Sequence, residues 1–219
     1  MIFMETIPFY SLGFVKETVP DNIFDILLEG CKEAKYENTR AVNTLVGNLE
    51  ESYDIILPTE KFIFVEEYLV KLCARYEKQY NLMRYEKSVV CDGYNLELQR
   101  LWVNYQKKYE FNPLHHHTGL YSFVIWVKIP YDFRNEFELD LCKNSNNKCP
   151  GSFAFYYPNA IGELEENIIE LDPSFEKQIV VFPSKVNHCV YPFYTSDDYR
   201  ISISGNMYLR AREYPAHMM

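Results

Sequence analysis

Along the first third of the chain, apolar residues recur every three or four positions. In PDNIFDILLEGCKEAKY, Pro20 and Asp21 form a helix start signal, and Ile23, Leu27 and Cys31 fall on one stripe. TEKFIFVEEYLVKLCARYEKQYN keeps the same period, with Thr59 as candidate N-cap and Phe62, Val65, Leu69, Leu72 and Tyr76 on its apolar face. One strand is expected before these helices, around Ile7 to Phe14. From Tyr94 the period drops to two: in YNLELQRLWVNYQ, Leu101, Val103 and Tyr105 alternate with Trp102, Asn104 and Gln106. Shorter strands are predicted at Ser122–Ile129, Ser152–Tyr157, Asn167–Leu171, Gln178–Phe182, His188–Tyr191 and Arg200–Leu209, with turn residues between them. Helices followed by a run of short strands make an α+β chain whose β part closes as a sandwich or barrel.

Length then sets one domain, residues 1–219, with 1–92 as mainly helical support and 93–210 as the β core. With 47% hydrophobic and 16% aromatic residues, the chain has enough apolar surface to offset its conformational entropy, which excludes a disordered protein. The 31 acidic against 22 basic residues leave a formal charge of -9, which disfavours nucleic acid as a partner. No apolar run reaches the length of a membrane span and the start lacks the features of a secretory signal, so a soluble cytoplasmic protein is expected. Six cysteines without regular spacing are expected to be reduced thiols; CKNSNNKC, Cys142 to Cys149, is half a zinc motif lacking a second half.

Three of the five histidines stand together in NPLHHHTGL, just before a predicted buried strand. On an extended chain His115 and His117 point one way and His116 and Thr118 the other, so two imidazoles on one side can bind a single metal ion. A third protein ligand is needed. His217 lies two residues from the last, whereas His188, in FPSKVNHCVYPF, sits between two short strands, where a jelly roll can bring it across to the earlier pair. The last strand, RISISGN, has Arg200, Ser202, Ser204 and Asn206 on one face and Ile201, Ile203 and Met207 on the other. Turned into a barrel, a guanidinium with a hydroxyl two residues away suits a carboxylate clamp.

With HHHTG, then His188, then RIS in order over a β-rich C-terminal half, the chain resembles the Fe(II)- and 2-oxoglutarate-dependent dioxygenases. The longer stretches WVNYQKKYEFNPLHHHTGLYSFVIWVKIP and VVFPSKVNHCVYPFYTSDDYRISISGN are similar to a phage-encoded oxygenase branch, from about Leu45 to Tyr208 and most specifically from Trp102. The resemblance implies a double-stranded β-helix, a cupin-like jelly roll with the N-terminal helices packed on one sheet. It implies Fe(II), 2-oxoglutarate as co-substrate and O2, with decarboxylation to succinate coupled to hydroxylation or a related C–H oxidation. Carried over, His188 is a metal ligand, Arg200 the clamp on the far carboxylate and Ser202 its hydroxyl partner. A phage-encoded enzyme of this kind would act in the host cytoplasm.

The sequence departs from that family at one point. The usual first two ligands are His-x-Asp or His-x-Glu, and no acid follows a histidine at that spacing here. Three arrangements stay open: a centre of His115, His117 and His188, which is favoured; His117 first, with Gly119 leaving a vacant position as in halogenating members; or a carboxylate from elsewhere in the chain. His116 would then point away or support a ligand by hydrogen bonding. Asn104, with Gln106, Tyr121 and Ser122, is a candidate for the carboxylate nearest the metal or for substrate; Tyr156 and TLVGNLEE are candidates for the pocket mouth, and Trp102, Trp126 and Phe182 for barrel wall. Two other functions fit the ligands alone, a three-histidine zinc hydrolase and a non-enzymatic cupin-like domain that binds a metal or small acid. The substrate, a small molecule or a protein side chain, is not legible, and neither is oligomeric state.

Overall fold

The computed structural model describes residues 12–41, 45–85 and 94–211. The strand expected near Ile7 to Phe14 falls mostly outside these residues, and the first described strand is β1, Val15–Thr18. Both helices follow their predicted periods: α1, Asp21–Tyr36, buries Ile23, Leu27 and Cys31, and α2, Thr59–Tyr80, buries Val65, Leu69, Leu72 and Tyr76. Thr59 is not the cap of α2; Pro58 occupies that position without a side-chain cap, and the helix ends on Asn81 in the left-handed conformation.

Nine further strands follow among the described residues: β2 (Glu51–Asp54), β3 (Tyr94–Gln106), β4 (Asn112–His115), β5 (Tyr121–Lys128), β6 (Phe153–Pro158), β7 (Leu164–Ile169), β8 (Gln178–Pro183), β9 (Asn187–Val190) and β10 (Arg200–Ala211). A short helix, α3 (Phe133–Phe137), interrupts the polar segment after β5. The strands form a larger sheet in the order β1-β8-β5-β10-β3-β2 and a smaller one in the order β4-β9-β6-β7. Strands β3 to β10 pass between the two sheets in antiparallel pairs, with the consecutive strands β6 and β7 forming a hairpin in the smaller sheet, which is the double-stranded β-helix. Strands β1 and β2 extend the larger sheet at its edges.

Two apolar cores result. One lies between the helices and the outer face of the larger sheet, where Leu27, Leu69 and Tyr76 meet Val103, Ile125, Ile203 and Met207. Each fully buried aliphatic side chain there contributes about 1.5–3 kcal/mol. The second fills the closed end of the barrel around Trp126, Leu171 and Phe193. Because β10 has its odd residues in the first core, its polar face looks into the barrel, as the alternation anticipates. Cys31, Cys73, Cys142, Cys149 and Cys189 are free thiols, and among the described residues no helix is long and apolar enough to cross a membrane.

Candidate active site

His115 closes β4, and its ladder partner across the smaller sheet is His188 on β9. His117 lies past the end of β4, where its backbone N–H donates to Ser184 O at 2.8 Å. Strand alternation therefore accounts for His115 only; a loop hydrogen bond to the end of β8 turns His117 back to join it. Gly119 makes the turn possible, with φ of 93° and a position where a Cβ would come within 2.8 Å of Met207 O. The three rings meet with centroids 4.2 to 5.0 Å apart, and one ligand atom from each lies within 4.8 Å of the others. His116 between them is exposed.

The protonation state suits a metal. His115 Nδ1 is 2.6 Å from Pro113 O and His188 Nδ1 is 3.0 Å from Val186 O. A carbonyl only accepts, so each Nδ1 carries the proton and each Nε2 keeps its lone pair. Burial lowers the pKa of all three rings, and repulsion from neighbouring histidines, His116 included, adds to it; His117 falls to about 4 and His188 well below its ordinary value. Three neutral, convergent imidazoles fit a divalent first-row ion, and this donor set is what the structure offers iron.

Beside the cluster opens a cavity of about 360 Å³. Its floor and wall come from β3 and β10, with Asn104 opposite Ser202 in the ladder and Ser204 and Asn206 further along. Asn104 Oδ1 accepts a hydrogen bond from Ser52 Oγ at 2.7 Å, and Asn206 Oδ1 accepts one from Ser122 Oγ at 2.8 Å. Both amides thus have their acceptor side bonded to protein. Trp102, Phe153 and Phe182 supply apolar wall, and Leu45, Val46, Gly47 and Leu49 of the TLVGNLEE stretch border the mouth. Among the described lining residues there is no Asp or Glu, so the carboxylate ligand from elsewhere finds no support.

Arg200 sits differently from the expected clamp. It is buried at 2% exposure just below the Asn104 and Ser202 level, outside the cavity lining. Its Nη1 donates to Tyr131 Oη at 2.5 Å and Gly151 O at 2.9 Å, and its Nη2 to Tyr191 O at 2.8 Å, between the rings of Tyr131 and Phe193. Gln106 is on the same face but donates to Glu110 O. Ser122 lies behind the wall rather than on it. Tyr121 points the other way, into the helix-side core, and donates to Glu77 at 2.7 Å. Tyr156 is outside the cavity lining and bonds to Glu166 and Tyr191. Sequence reasoning did not single out Asn206 as a site residue, although the alternation had already put it on the polar face.

Residues 100–206, from the middle of β3 to the middle of β10, match the family model described as "Putative 2OG-Fe(II) oxygenase". This part of the chain is that of a 2OG-Fe(II) oxygenase. It is an oxidoreductase that uses Fe(II), 2-oxoglutarate and O2, which sets aside the non-enzymatic alternative. Among solved structures it is similar to a prolyl-4-hydroxylase from Pseudomonas putida, at 16% identity and a TM-score of 0.56 over 93% of this chain and 95% of that one. It is also similar to AviO1 from Streptomyces viridochromogenes Tue57, at 14% identity and a TM-score of 0.52 over 93% and 92%. These two likenesses concern the fold. No curated protein matches the sequence.

Proposed function

We propose that His115, His117 and His188 hold the Fe(II) of this oxygenase, and that the adjoining cavity takes 2-oxoglutarate for decarboxylation to succinate coupled to hydroxylation of a C–H bond in a second substrate. The supporting observation is the convergence of three neutral imidazoles on a cavity whose wall offers polar groups and no carboxylate. When bound, the metal and the 2-oxoacid supply the oxygen chemistry. The chain's own part is to orient both, exclude water and place the C–H bond. Ser202 and Asn104 receive the far carboxylate, with Arg200 below them adding its charge through a poorly screened interior.

Neutral ligands leave the ion's charge uncompensated, so the dianionic co-substrate raises metal affinity and, by linkage, the metal raises affinity for the acid. The zinc-hydrolase reading loses support from the same wall, which lacks a carboxylate to act as general base. The prolyl-4-hydroxylase likeness makes a protein side chain a reasonable substrate class beside a small molecule. The acidic composition and free thiols favour a cytoplasmic setting.

The test is anaerobic addition of Fe(II) and then 2-oxoglutarate to metal-free protein, read as the visible charge-transfer band of a metal-chelated 2-oxoacid. A band that requires both, and that weakens in Arg200→Gln, is expected. Iron that binds without a band would end this reading.

A further inference from the structure

We infer that O2 reaches the metal site from behind His188, through an apolar cavity at the far margin of the two sheets that Phe182 separates from the histidines. The inference rests on the function proposed above and gives its gaseous substrate a route of its own. This rear cavity, of about 680 Å³, lies between the segment before β1, the end of α2 and the β6–β7 hairpin. The histidine cavity has its mouth beside β3 and β4, so the two enter the space between the sheets from opposite margins. Among the described residues only Phe182 lines both.

The partition between them is aromatic. Phe182 meets the His188 ring edge-on with centroids 4.9 Å apart and the Phe155 ring also at 4.9 Å, and Phe155 stacks on Phe14 at 5.2 Å. A file of rings thus runs from the rear cavity to the back of a proposed metal ligand. Close packing on every side normally fixes a core side chain. Phe182 is 2% exposed yet has open volume on two sides, which leaves its ring room to swing.

The lining decides the occupant. Among the described residues it has no charged side chain, and Asn159 uses its amide within the hairpin turn, accepting from the N–H groups of Ile161 and Glu163 and donating to Glu165 at 2.8 Å. An ionic ligand finds no partner here to offset its desolvation. Apolar cavities stay dry and take up apolar guests, xenon among them. O2 is small, apolar and a substrate of the reaction this chain performs. Pro158, Ala160 and Asn167 at the rim are exposed while Phe155 and Phe182 at the inner end are buried, so the cavity runs from the surface to the partition. A second substrate seated in the front mouth leaves this way open.

The experiment has two readings. One is xenon bound to metal-free full-length protein under gas pressure, located by crystallography. The other is the rate at which the charge-transfer band of the Fe(II)-loaded protein with 2-oxoglutarate is lost on mixing with increasing O2. Asn167 is the ladder partner of Phe155, lines the rear cavity and is absent from the front one, so Asn167→Trp fills the rear cavity from its rim with an aromatic cross-strand pair. Xenon is expected beside Phe155 and Phe182 in the parent and is expected to be lost in Asn167→Trp. The same variant should lower the O2 dependence of the rate severalfold, with the band and the 2-oxoglutarate affinity unchanged. Phe182→Leu thins the partition and should raise that dependence. No xenon in the parent, an unchanged O2 dependence in both variants, or a fall that comes only with lost 2-oxoglutarate affinity would overturn the route while leaving the iron and 2-oxoglutarate reading in place. Absence of a band in the parent protein would remove that reading and the route with it.

Discussion

At the closed end of the barrel, Arg200 directs three hydrogen bonds to protein oxygens and Glu136 accepts three from Tyr194 and Thr195, whereas at the open end the amides of Asn104 and Asn206 have only their oxygens bonded in this way. Ser152, whose hydroxyl has no partner among the described residues, is the exception at the closed end. Both regions are buried and polar, yet their groups do different things. Those of the closed end tie the segments around α3 and after β9 to the base of the barrel. Those of the open end are held in place by protein beside the cavity. Loss of a group should therefore appear as lost stability at one end and as lost binding at the other.

Glu136→Ala is the largest break at the closed end. The carboxylate is fully buried and serves two backbone N–H groups and a hydroxyl, so its removal strands all three. A loss of about 4 kcal/mol is expected for stranded partners of a buried charged group. Urea unfolding of the metal-free protein measures it, and a loss below about 1 kcal/mol would show that solvent reaches this end. Gly151 offers an independent strike at the same place: its φ is 74° and a Cβ there would lie 2.7 Å from the Tyr131 ring, so Gly151→Ala should lower Tm without touching the histidines.

His117→Ala is the open-end counterpart. It removes one of three metal ligands and should lower Fe(II) affinity at least about 100-fold, about 2.7 kcal/mol. The metal-free protein should unfold close to the parent, because the ring lines the cavity wall and burial keeps it uncharged. Metal competition by a chelator measures the first and thermal unfolding the second. Retained metal affinity would mean that the cluster is coincidental. Arg200→Gln falls between the two ends: it strips donors from Tyr131, Gly151 and Tyr191, expected to cost about 2 kcal/mol, and also weakens 2-oxoglutarate binding. If stability falls and 2-oxoglutarate affinity does not, Arg200 belongs to the closed end alone.

The sequence carried much of this, and the parts it hid have physical causes. A regular strand keeps its period, so the cavity face of β10 and the alternation of Trp102 and Asn104 against Val103 and Tyr105 could be read directly. Strand β4 could not. It is four residues long, contains Pro113, and pairs with β9 through an irregular register, so it carries no alternation to read. Tyr121 and Ser122 were both candidates, but neighbours on a strand face opposite sides, and only Ser122 looks toward the barrel. Arg200 was correctly placed on the inner face, yet the partners that enclose it come from Tyr131, Gly151 and Tyr191, contacts that no local pattern records.

His116→Ala is the smallest effect and the sharpest use of the comparison, because it asks whether the open end is specific residue by residue. His116 stands between two proposed ligands, has the same chemistry, and borders the same cavity. It is exposed, while the ring nitrogens of its neighbours converge with His188. If function follows from the aim of each side chain and not from the density of histidines, its removal should change Fe(II) affinity by no more than about twofold, the range of an exposed substitution. Its effect should then appear only when a substrate fills the mouth. Loss of iron on the scale of His117→Ala would mean that the cluster rearranges when the metal arrives, with His116 displacing one of the three.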